Sequence, residues 1–284
     1  RQRQMCIRDR VNSVEGLTSK GYEFSVTKDT ELVDVATDVC RVSGTCRIVG
    51  EKGGKYQILA FKTNSKMIYA YPEDGKYEMF LEAGVYNFII TYTDEKNSKE
   101  HTLVRQEVTV PDAPYEKNFD IVAGSLSGQL TWKDGTSAMY GESSLCLYSD
   151  GFASGDITAD LKADGSFSFS YVPYGTYTMK LDDKDIGTVT INSADKQQDY
   201  TINGYQIAVV VKEANGEFAK DKWIRVEKDE KTEYYYVDND KGLALVIVDE
   251  PGTYEVCSYD NGNRIYYGTV TVTDKNVSCA LTAE

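Results

Sequence analysis

Residues 164–177 read DGSFSFSYVPYGTY, and this stretch contains the elements that decide the fold. Asp164-Gly165 is typical of a tight hairpin turn, because glycine adopts positive φ angles without a steric cost. Two phenylalanines then alternate with serines, which is the two-residue period of a half-buried strand. Gly175 lies two positions before Tyr177, which opens the next apolar strand. The stretch therefore predicts a turn followed by two neighbouring strands.

The same pattern occurs three times along the chain, and internal repetition of this kind indicates a repeated structural unit. The glycine and tyrosine recur as Gly84–Tyr86, Gly175–Tyr177 and Gly252–Tyr254. Turn glycines precede these tyrosines at almost the same spacing, at positions 75, 165 and 242. Strands rich in Val and Thr follow at 107–110, 188–191 and 269–272, and closing strands at 118–122, 199–202 and 277–281.

A Ser-Gly dipeptide provides a landmark in the first two copies, and an Asn-Gly dipeptide takes its place in the third. Ser43-Gly44 and Ser127-Gly128 are predicted to open the first strand of copies one and two, and Asn203-Gly204 takes that place in copy three. The spacing predicts three β-sandwich repeats of about 80 residues, each with about seven short strands. The repeats span 43–122, 123–203 and 204–284. The expected fold class is all-β, with tandem immunoglobulin-like sandwiches and junctions near Val122 and Asn203 too short to be flexible linkers.

The N-terminal 42 residues do not fit this repeat. Residues 4–10, QMCIRDR, are similar to the translation of a transposase adapter used in DNA library preparation, so we set 1–10 aside as an adapter-derived artefact. Residues 11–42 contain Leu17, Gly21–Phe24 and Leu32–Val35 and resemble the back half of another repeat. We therefore expect the protein to continue upstream of this sequence.

The combined motif resembles the carboxypeptidase regulatory-like repeats over residues 43–284. Its parts are the turn glycine, Phe-x-Phe, Val-Pro-x-Gly-x-Tyr and the following Val/Thr strand. The third copy, with VVVK at 209–212 and EPGTY at 250–254, is also similar to the B-type repeats of bacterial collagen adhesins. Both resemblances imply a transthyretin-like, seven-stranded β-sandwich, and they mark a fold rather than an activity. We expect the tyrosines at 86, 177 and 254 to bury their rings while each hydroxyl reaches a backbone group.

Adhesin repeats of this type often carry a Lys–Asn isopeptide bond promoted by a buried acid. Lys212 occupies the lysine position of that family, but the acid position, four residues after the tyrosine, holds Ile90, Leu181 and Ser258. Such a bond needs a buried carboxylic acid held in its neutral form. We therefore expect Lys212 to be an ordinary lysine at a strand end.

Composition narrows the possible partners. The net charge of −14 disfavours nucleic acid, since the chain repels phosphate backbones. The longest apolar run, LALVIV at 243–248, is the length of a strand and far too short to span a membrane. Setting Cys6 aside leaves five cysteines (Cys40, Cys46, Cys146, Cys257 and Cys279) without CxxC spacing, which are read as small buried hydrophobic residues. Cys257 and Cys279 form the one pair for which a disulfide is considered.

Catalytic patterns are lacking in the sequence. The single histidine, His101, lies among charged residues and is predicted to be a solvated loop residue, which argues against a His-based triad. Residues 238–242, DNDKG, resemble a calcium loop only faintly and lack its downstream Glu, so a plain turn is predicted. We therefore predict a protein that is not an enzyme, with no catalytic, cofactor-binding or metal-binding residues.

Aromatic residues give the one indication of ligand contact. Three groups could form platforms for sugar rings: Tyr69 with Tyr71, Trp132 with Tyr140, and the run Tyr234–Tyr236. In a strand, Tyr234 and Tyr236 share one face and Tyr235 takes the other. Packing in cores and at sheet edges is the favoured alternative for all three groups.

The predicted function is a non-catalytic structural or adhesive region, a stalk or a set of interaction modules, of a bacterial cell-surface or secreted protein. The alternative is a carbohydrate-binding accessory region of a secreted glycan-active enzyme. The expected partners are the neighbouring repeats, missing domains of the same chain, and an extracellular protein or glycan. The expected location is extracellular.

Overall fold

The computed structural model describes residues 39–284 except 52, 64, 97, 138, 140–142, 153–154, 183 and 238. These residues form tandem β-sandwiches, so the predicted all-β class is confirmed. No helix in the described part of the chain is long and apolar enough to cross a membrane. The segment 1–10 and all but the last four residues of 11–42 lie outside the described residues. The chain divides into two compact units, one ending at Ala123 and the other beginning at Gly124.

The described part of the first unit contains two sheets. Its strands are β1 (Val39–Ile48), β2 (Lys55–Phe61), β3 (Ile68–Ala70), β4 (Lys76–Glu82), β5 (Gly84–Thr93), β6 (Glu100–Val110), β7 (Tyr115–Glu116) and β8 (Phe119–Ile121). One sheet has the order β4-β1-β7, with β8 also paired to β1, and the other has the order β3-β2-β5-β6. Phe88 of β5 and Phe119 of β8 have ring centroids 5.8 Å apart, so the sheets pack face to face across a core. We call this set the first sandwich.

The second unit opens with nine strands that enclose their own core. They are β9 (Ala123–Trp132), β10 (Leu145–Tyr148), β11 (Ile157–Thr158), β12 (Asp160–Leu161), β13 (Ser166–Pro173), β14 (Gly175–Leu181), β15 (Lys184–Ile191), β16 (Asp195–Gln197) and β17 (Tyr200–Ile202). Their sheets have the orders β12-β13-β9-β16, with β17 also paired to β9, and β11-β10-β14-β15. The core is built around Trp132, Phe169 and Met179, all almost fully buried. We call this set the second sandwich.

The remaining strands of the second unit surround another core. They are β18 (Tyr205–Lys212), β19 (Lys222–Lys228), β20 (Lys231–Val237), β21 (Leu243–Val248), β22 (Gly252–Asp260), β23 (Asn263–Val272) and β24 (Val277–Thr282). The sheets have the orders β21-β18-β24 and β20-β19-β22-β23. Ile224, Val226 and Val256 are buried in the core between them. We call this set the third sandwich.

The motif glycines lie where the sequence places them. Gly75, Gly165 and Gly242 have φ angles of 72°, 80° and 63°, a left-handed conformation that favours glycine. The glycines of the Gly-x-Tyr motif are the first residues of β5, β14 and β22. The three predicted turns and the three strands that follow them are therefore confirmed.

The Ser-Gly landmark is in a different place from the predicted one. Gly44 and Gly128 lie in the middle of β1 and β9, not at their start. A Cβ atom on either glycine would lie 2.0 Å from a carbonyl oxygen, that of Lys117 or Gln198, where the closing strand is interrupted. The third sandwich closes with the unbroken β24, and the register gives Val209, not Gly204, as the counterpart of Gly44. No close approach occurs there, so no glycine is needed.

The exact limits of the repeats stay a prediction. Strand pairing falls into the three sets β1–β8, β9–β17 and β18–β24. The first strand begins at Val39, four residues before the predicted start of the first repeat.

Candidate binding face

The outer surface of one sheet of the third sandwich carries exposed aromatic rings. In β19, Ile224 and Val226 turn inward and are buried. Side chains alternate along a strand, so Trp223, Arg225 and Glu227 lie on the outer surface. The neighbouring strands β20 and β22 add tyrosines to this surface. We call Trp223, Arg225, Tyr234, Tyr236 and Tyr259 the aromatic face.

The rings of the aromatic face are open to solvent. Between 42% and 58% of the surface of Trp223, Tyr234, Tyr236 and Tyr259 is exposed. Trp223 lies directly opposite Tyr236 in the antiparallel pairing, and their ring centroids are 5.2 Å apart at 59°. Cross-strand aromatic pairs of this kind hold each other in place. The two rings therefore form a fixed, tilted surface.

Arg225 lies between the other two rings. Its guanidinium carbon is 4.2 Å from the ring centroid of Tyr259 and 5.2 Å from that of Tyr234. A planar guanidinium is attracted to aromatic faces and stacks on them. This arrangement joins tyrosines from β20 and β22 across the strand that separates them.

A balanced set of charges borders the aromatic face. Arg264 of β23 donates hydrogen bonds of 2.8 Å to Glu227 and to Glu255. Arg225 and Arg264 together match the charges of Glu227 and Glu255. Contact with the Cys257 thiol and with Glu255 raises the pKa of the Arg264 guanidinium, which stays positively charged. The face is therefore nearly neutral, although the whole chain carries −14.

The structure confirms the predicted division of the run Tyr234–Tyr236 between the two faces of its strand. Tyr234 and Tyr236 share the exposed face, and Tyr235 turns toward the core of the third sandwich. Sequence reasoning missed Trp223, Arg225 and Tyr259. Residues 223–227, WIRVE, place Ile and Val at alternate positions, and this two-residue period could have predicted that Trp223 and Arg225 lie on the outer face of the strand.

The other two predicted platforms have opposite outcomes. Tyr69 and Tyr71 are exposed at the edge of the first sandwich, where the Gln57 amide donates to the Tyr71 hydroxyl at 3.3 Å. Trp132 is only 1% exposed and fills the core of the second sandwich, which confirms the favoured alternative of core packing for this residue and excludes it from a platform. Its proposed partner, Tyr140, lies outside the described residues.

The motif tyrosines bury their rings as expected, and the expected hydroxyl contact with a backbone group is confirmed for two of them, Tyr177 and Tyr254. All three rings are buried. The Tyr177 hydroxyl donates to the Pro173 carbonyl oxygen at 2.7 Å, and the Tyr254 hydroxyl donates to that of Glu250 at 2.5 Å. Burial raises the pKa of Tyr177 to about 12. The ring of Tyr86 lies 4.8 Å from the Lys62 ammonium.

The positions tied to isopeptide chemistry lie in ordinary surroundings. The Lys212 ammonium is 5.3 Å from the centre of the Phe218 ring, and Thr282 is its register partner in β24. Ile90 and Leu181 are fully buried. Ser258 is also buried, with its hydroxyl 3.0 Å from that of Tyr267. The absence of a cross-link stays a prediction, which a mass measurement can test.

The structure tests the predictions for His101 and for the segment 238–242. His101 lies in β6 and is buried beside Tyr92, so the prediction of a solvated loop histidine is wrong. In the segment 238–242, Asn239 accepts hydrogen bonds from the backbone of Lys241 and Leu243, which is the geometry of a plain turn. Asp238 lies outside the described residues.

The predictions for the cysteines are confirmed for burial in three of five residues and wrong for the disulfide that was considered. The five cysteines of the described region are free thiols, so the bridge considered between Cys257 and Cys279 is not formed. These two residues belong to strands of opposite sheets, β22 and β24. Cys40, Cys46 and Cys257 are buried, as predicted, and Cys146 and Cys279 are partly exposed.

Comparisons with known proteins give structural likenesses alone. No family model matches the chain, and no curated protein matches it. A streptococcal ancillary pilin is similar over 87% of this chain and 99% of its own, at 8% identity and a TM-score of 0.25. GBS52, the minor pilin of Streptococcus agalactiae, is 14% identical over 57% of this chain and 96% of its own, with a TM-score of 0.30. BcpA, the major pilin subunit of Bacillus cereus, is 11% identical over 87% of this chain and 99% of its own, with a TM-score of 0.22. The assignment of the fold rests on the sheets described above, not on these likenesses.

Proposed function

We propose that this chain is a non-catalytic spacer and interaction region of a bacterial cell-surface or secreted protein. In this proposal, sandwich modules at 43–122, 123–203 and 204–284 stand in series. The observation that supports it is the junction between the second and third sandwiches. Neighbouring domains move relative to one another by default, and a shared apolar interface is what prevents it.

The junction has almost no linker and a shared apolar contact. Strand β17 ends at Ile202 and β18 begins at Tyr205. Alternate residues of β21, Ala244, Val246 and Val248, fill the core of the third sandwich. Ile247 points the other way and is buried in the core of the second sandwich. A single strand therefore contributes to both cores.

Polar contacts surround this apolar contact. The Asn276 backbone N–H donates to the Asp134 carboxylate at 3.1 Å. The side-chain oxygen of Asn276 accepts a hydrogen bond from the Gln206 backbone N–H at 2.8 Å. Lys184 of the second sandwich pairs with Asp249 of the third. Desolvation acts to raise the pKa of Asp134, but the hydrogen bonds that its carboxylate accepts from Thr136 and from the Asn276 backbone outweigh this effect and lower the pKa, so Asp134 stays ionised at neutral pH. The contacts restrict rotation about the junction, as a spacer requires.

Limited proteolysis with chymotrypsin tests the spacer proposal. The folded chain should resist cleavage after Tyr205, which is buried at the junction. A double variant, Asp134→Ala with Ile247→Ala, should be cut there, because it removes the polar and the apolar contact together. Rapid cleavage of the wild-type chain after Tyr205 would show a flexible link and would contradict the proposal.

A second candidate is a carbohydrate-binding accessory region of a secreted glycan-active enzyme. The observation that favours it is the exposed aromatic face, since four large rings on the surface of one sheet do nothing for the core beneath. Retention of the chain on an insoluble polysaccharide, measured by depletion from solution, tests this candidate.

A further inference from the structure

We propose that the aromatic face of the third sandwich is a binding site for a neutral polysaccharide, and that the first sandwich carries a smaller copy of it at Tyr69 and Tyr71. This inference rests on the second candidate function. It follows from the register of the strands, the fixed geometry of the rings and the local balance of charge.

The two tyrosine pairs occupy the same positions in their sandwiches. Ile58 of β2 pairs with Ile90 of β5, and Ile224 of β19 pairs with Ser258 of β22. Ile90 and Ser258 each lie four residues after the motif tyrosine. One residue beyond these isoleucines, Leu59 pairs with Tyr69, and Arg225 pairs with Tyr234.

By the same register, Tyr71 corresponds to Tyr236, so both members of the pair recur. The second sandwich shows that the fold does not require them. There, Cys146 is the counterpart of Leu59 and pairs with Thr158, and Asp160 takes the place of Tyr71. Thr158 and Asp160, which replace the two tyrosines in the second sandwich, are both exposed, as the tyrosines are. A requirement of the sandwich itself would apply to all three copies, so the tyrosine pairs serve a purpose other than packing.

The third sandwich holds the more complete version of the site. Trp223 is added beside Tyr236, and Tyr259 is added on the far side of Arg225. The corresponding residues of the first sandwich are Gln57 and Thr91, which offer no ring. Because the rings of the third sandwich are held in place before binding, little side-chain entropy is lost when a ligand stacks on them.

The charges of the face indicate the class of ligand. The local charges cancel within the group of Arg225, Arg264, Glu227 and Glu255. The chain as a whole repels polyanions, which disfavours acidic polysaccharides as well as nucleic acid. What remains exposed is a row of apolar ring faces with tyrosine hydroxyl groups at their edges, which combine an apolar body with a polar tip. A neutral sugar ring has the complementary surface, with an apolar C–H face and hydroxyl groups around it.

Affinity electrophoresis of the full chain in native gels tests the proposal. The probes are hydroxyethyl cellulose, xyloglucan, galactomannan and, as an acidic comparison, polygalacturonate. We expect at least one neutral polysaccharide to retard the chain and polygalacturonate to have no effect. Trp223→Ala and the double variant Tyr234→Ala with Tyr236→Ala should each weaken this binding about tenfold or more, as aromatic hot spots do. Tyr69→Ala with Tyr71→Ala should have a smaller effect, of about twofold.

Two controls separate binding from folding. Phe218→Ala removes a ring of similar exposure from the same sandwich, away from the aromatic face, and should leave the retardation unchanged. The chain has two tryptophans, and Trp132 is buried while Trp223 is exposed. Trp223 emission should therefore shift to the blue on addition of the retarding polysaccharide. In Trp223→Ala, the unchanged emission of Trp132 would show that the second sandwich is still folded, and circular dichroism would report on the third.

Each other outcome overturns the proposal in a distinct way. Retardation that persists in Trp223→Ala and in the tyrosine variants would place glycan binding elsewhere and leave the carbohydrate-binding candidate standing. Retardation by polygalacturonate alone would refute a neutral ligand. No retardation by any probe would refute both the site and the carbohydrate-binding candidate, without affecting the spacer proposal. Binding to an immobilised extracellular matrix protein that Trp223→Ala abolishes, with no polysaccharide retarded, would assign the face to a protein partner.

Discussion

Replacing Ile247 by alanine should separate the unfolding of the second and third sandwiches. Ile247 belongs to β21 of the third sandwich, but its side chain is buried in the core of the second. The substitution removes three carbon groups, worth about 2 kcal/mol at about 0.8 kcal/mol each, and the cavity left behind brings the total to about 2–4 kcal/mol. All of this loss falls on the contact between the two sandwiches, because the inward side of β21 is unchanged.

Pulsed hydrogen exchange in increasing urea, read by mass spectrometry of peptides, measures this effect. In the wild type, peptides from 124–202 and 205–284 should lose protection at one urea concentration. In Ile247→Ala, the two midpoints should separate by about 1–2 M, given a denaturant dependence of about 2 kcal/mol per molar urea. Val226→Ala is the matched control, since it weakens the core of the third sandwich away from the junction and should lower the midpoint without separating the two sets. Coincident midpoints in Ile247→Ala would refute the reasoning, because they would show that this side chain does not couple the sandwiches.

Four further predictions concern the turns, the tyrosines, the thiols and the isopeptide bond. Gly165→Ala should cost at least about 2 kcal/mol, from left-handed strain and from a Cβ placed 2.5 Å from a carbonyl oxygen, whereas Gly135→Ala, with the same φ of 80° and open space, should cost about 1 kcal/mol in urea unfolding. Folding favours the neutral form of Tyr177, so the stability that its burial contributes is present below pH 10 and is lost as the pH rises toward 12. The free energy of unfolding, measured in urea, should fall by about 2–3 kcal/mol over this range, and by less in Tyr177→Phe. Burial also raises the pKa of Cys46 to about 12, so a thiol reagent should leave Cys46 unmodified in the folded chain at pH 8. The intact mass should equal the sequence mass, and a deficit of one ammonia or one water that survives reduction would reveal an isopeptide bond.

The turns and strand starts could be predicted from the sequence because they depend on local chemistry. Gly75, Gly165 and Gly242 adopt φ angles that other residues avoid, so their spacing revealed the repeat. Burial depends instead on which surface covers a side chain. Trp132 and His101 have polar sequence neighbours, yet both are buried, Trp132 in the core of the second sandwich and His101 beside Tyr92. Local polarity was therefore a poor guide to their exposure.

The junction between the second and third sandwiches explains an unusual apolar run in the sequence. The run 243–248 is apolar at every position, and its lack of alternation indicates a strand buried on both faces. The second surface is supplied by the neighbouring sandwich. The role of Arg225, in contrast, could not be predicted from the sequence. A charged residue in a strand gives no indication that it will stack between two tyrosines from different strands.

In each sandwich the first strand runs parallel to a closing strand, and this bears on the response to tension. The pairs are β1 with β7 and β8, β9 with β16 and β17, and β18 with β24. A pull on the two ends of a sandwich draws such neighbours in opposite directions along their length, so the hydrogen bonds between them are loaded in shear and must fail together. The third sandwich has an unbroken run of six paired residues there, whereas the first pairs two residues and then three. Under a steady pulling force, the first sandwich should therefore yield before the third.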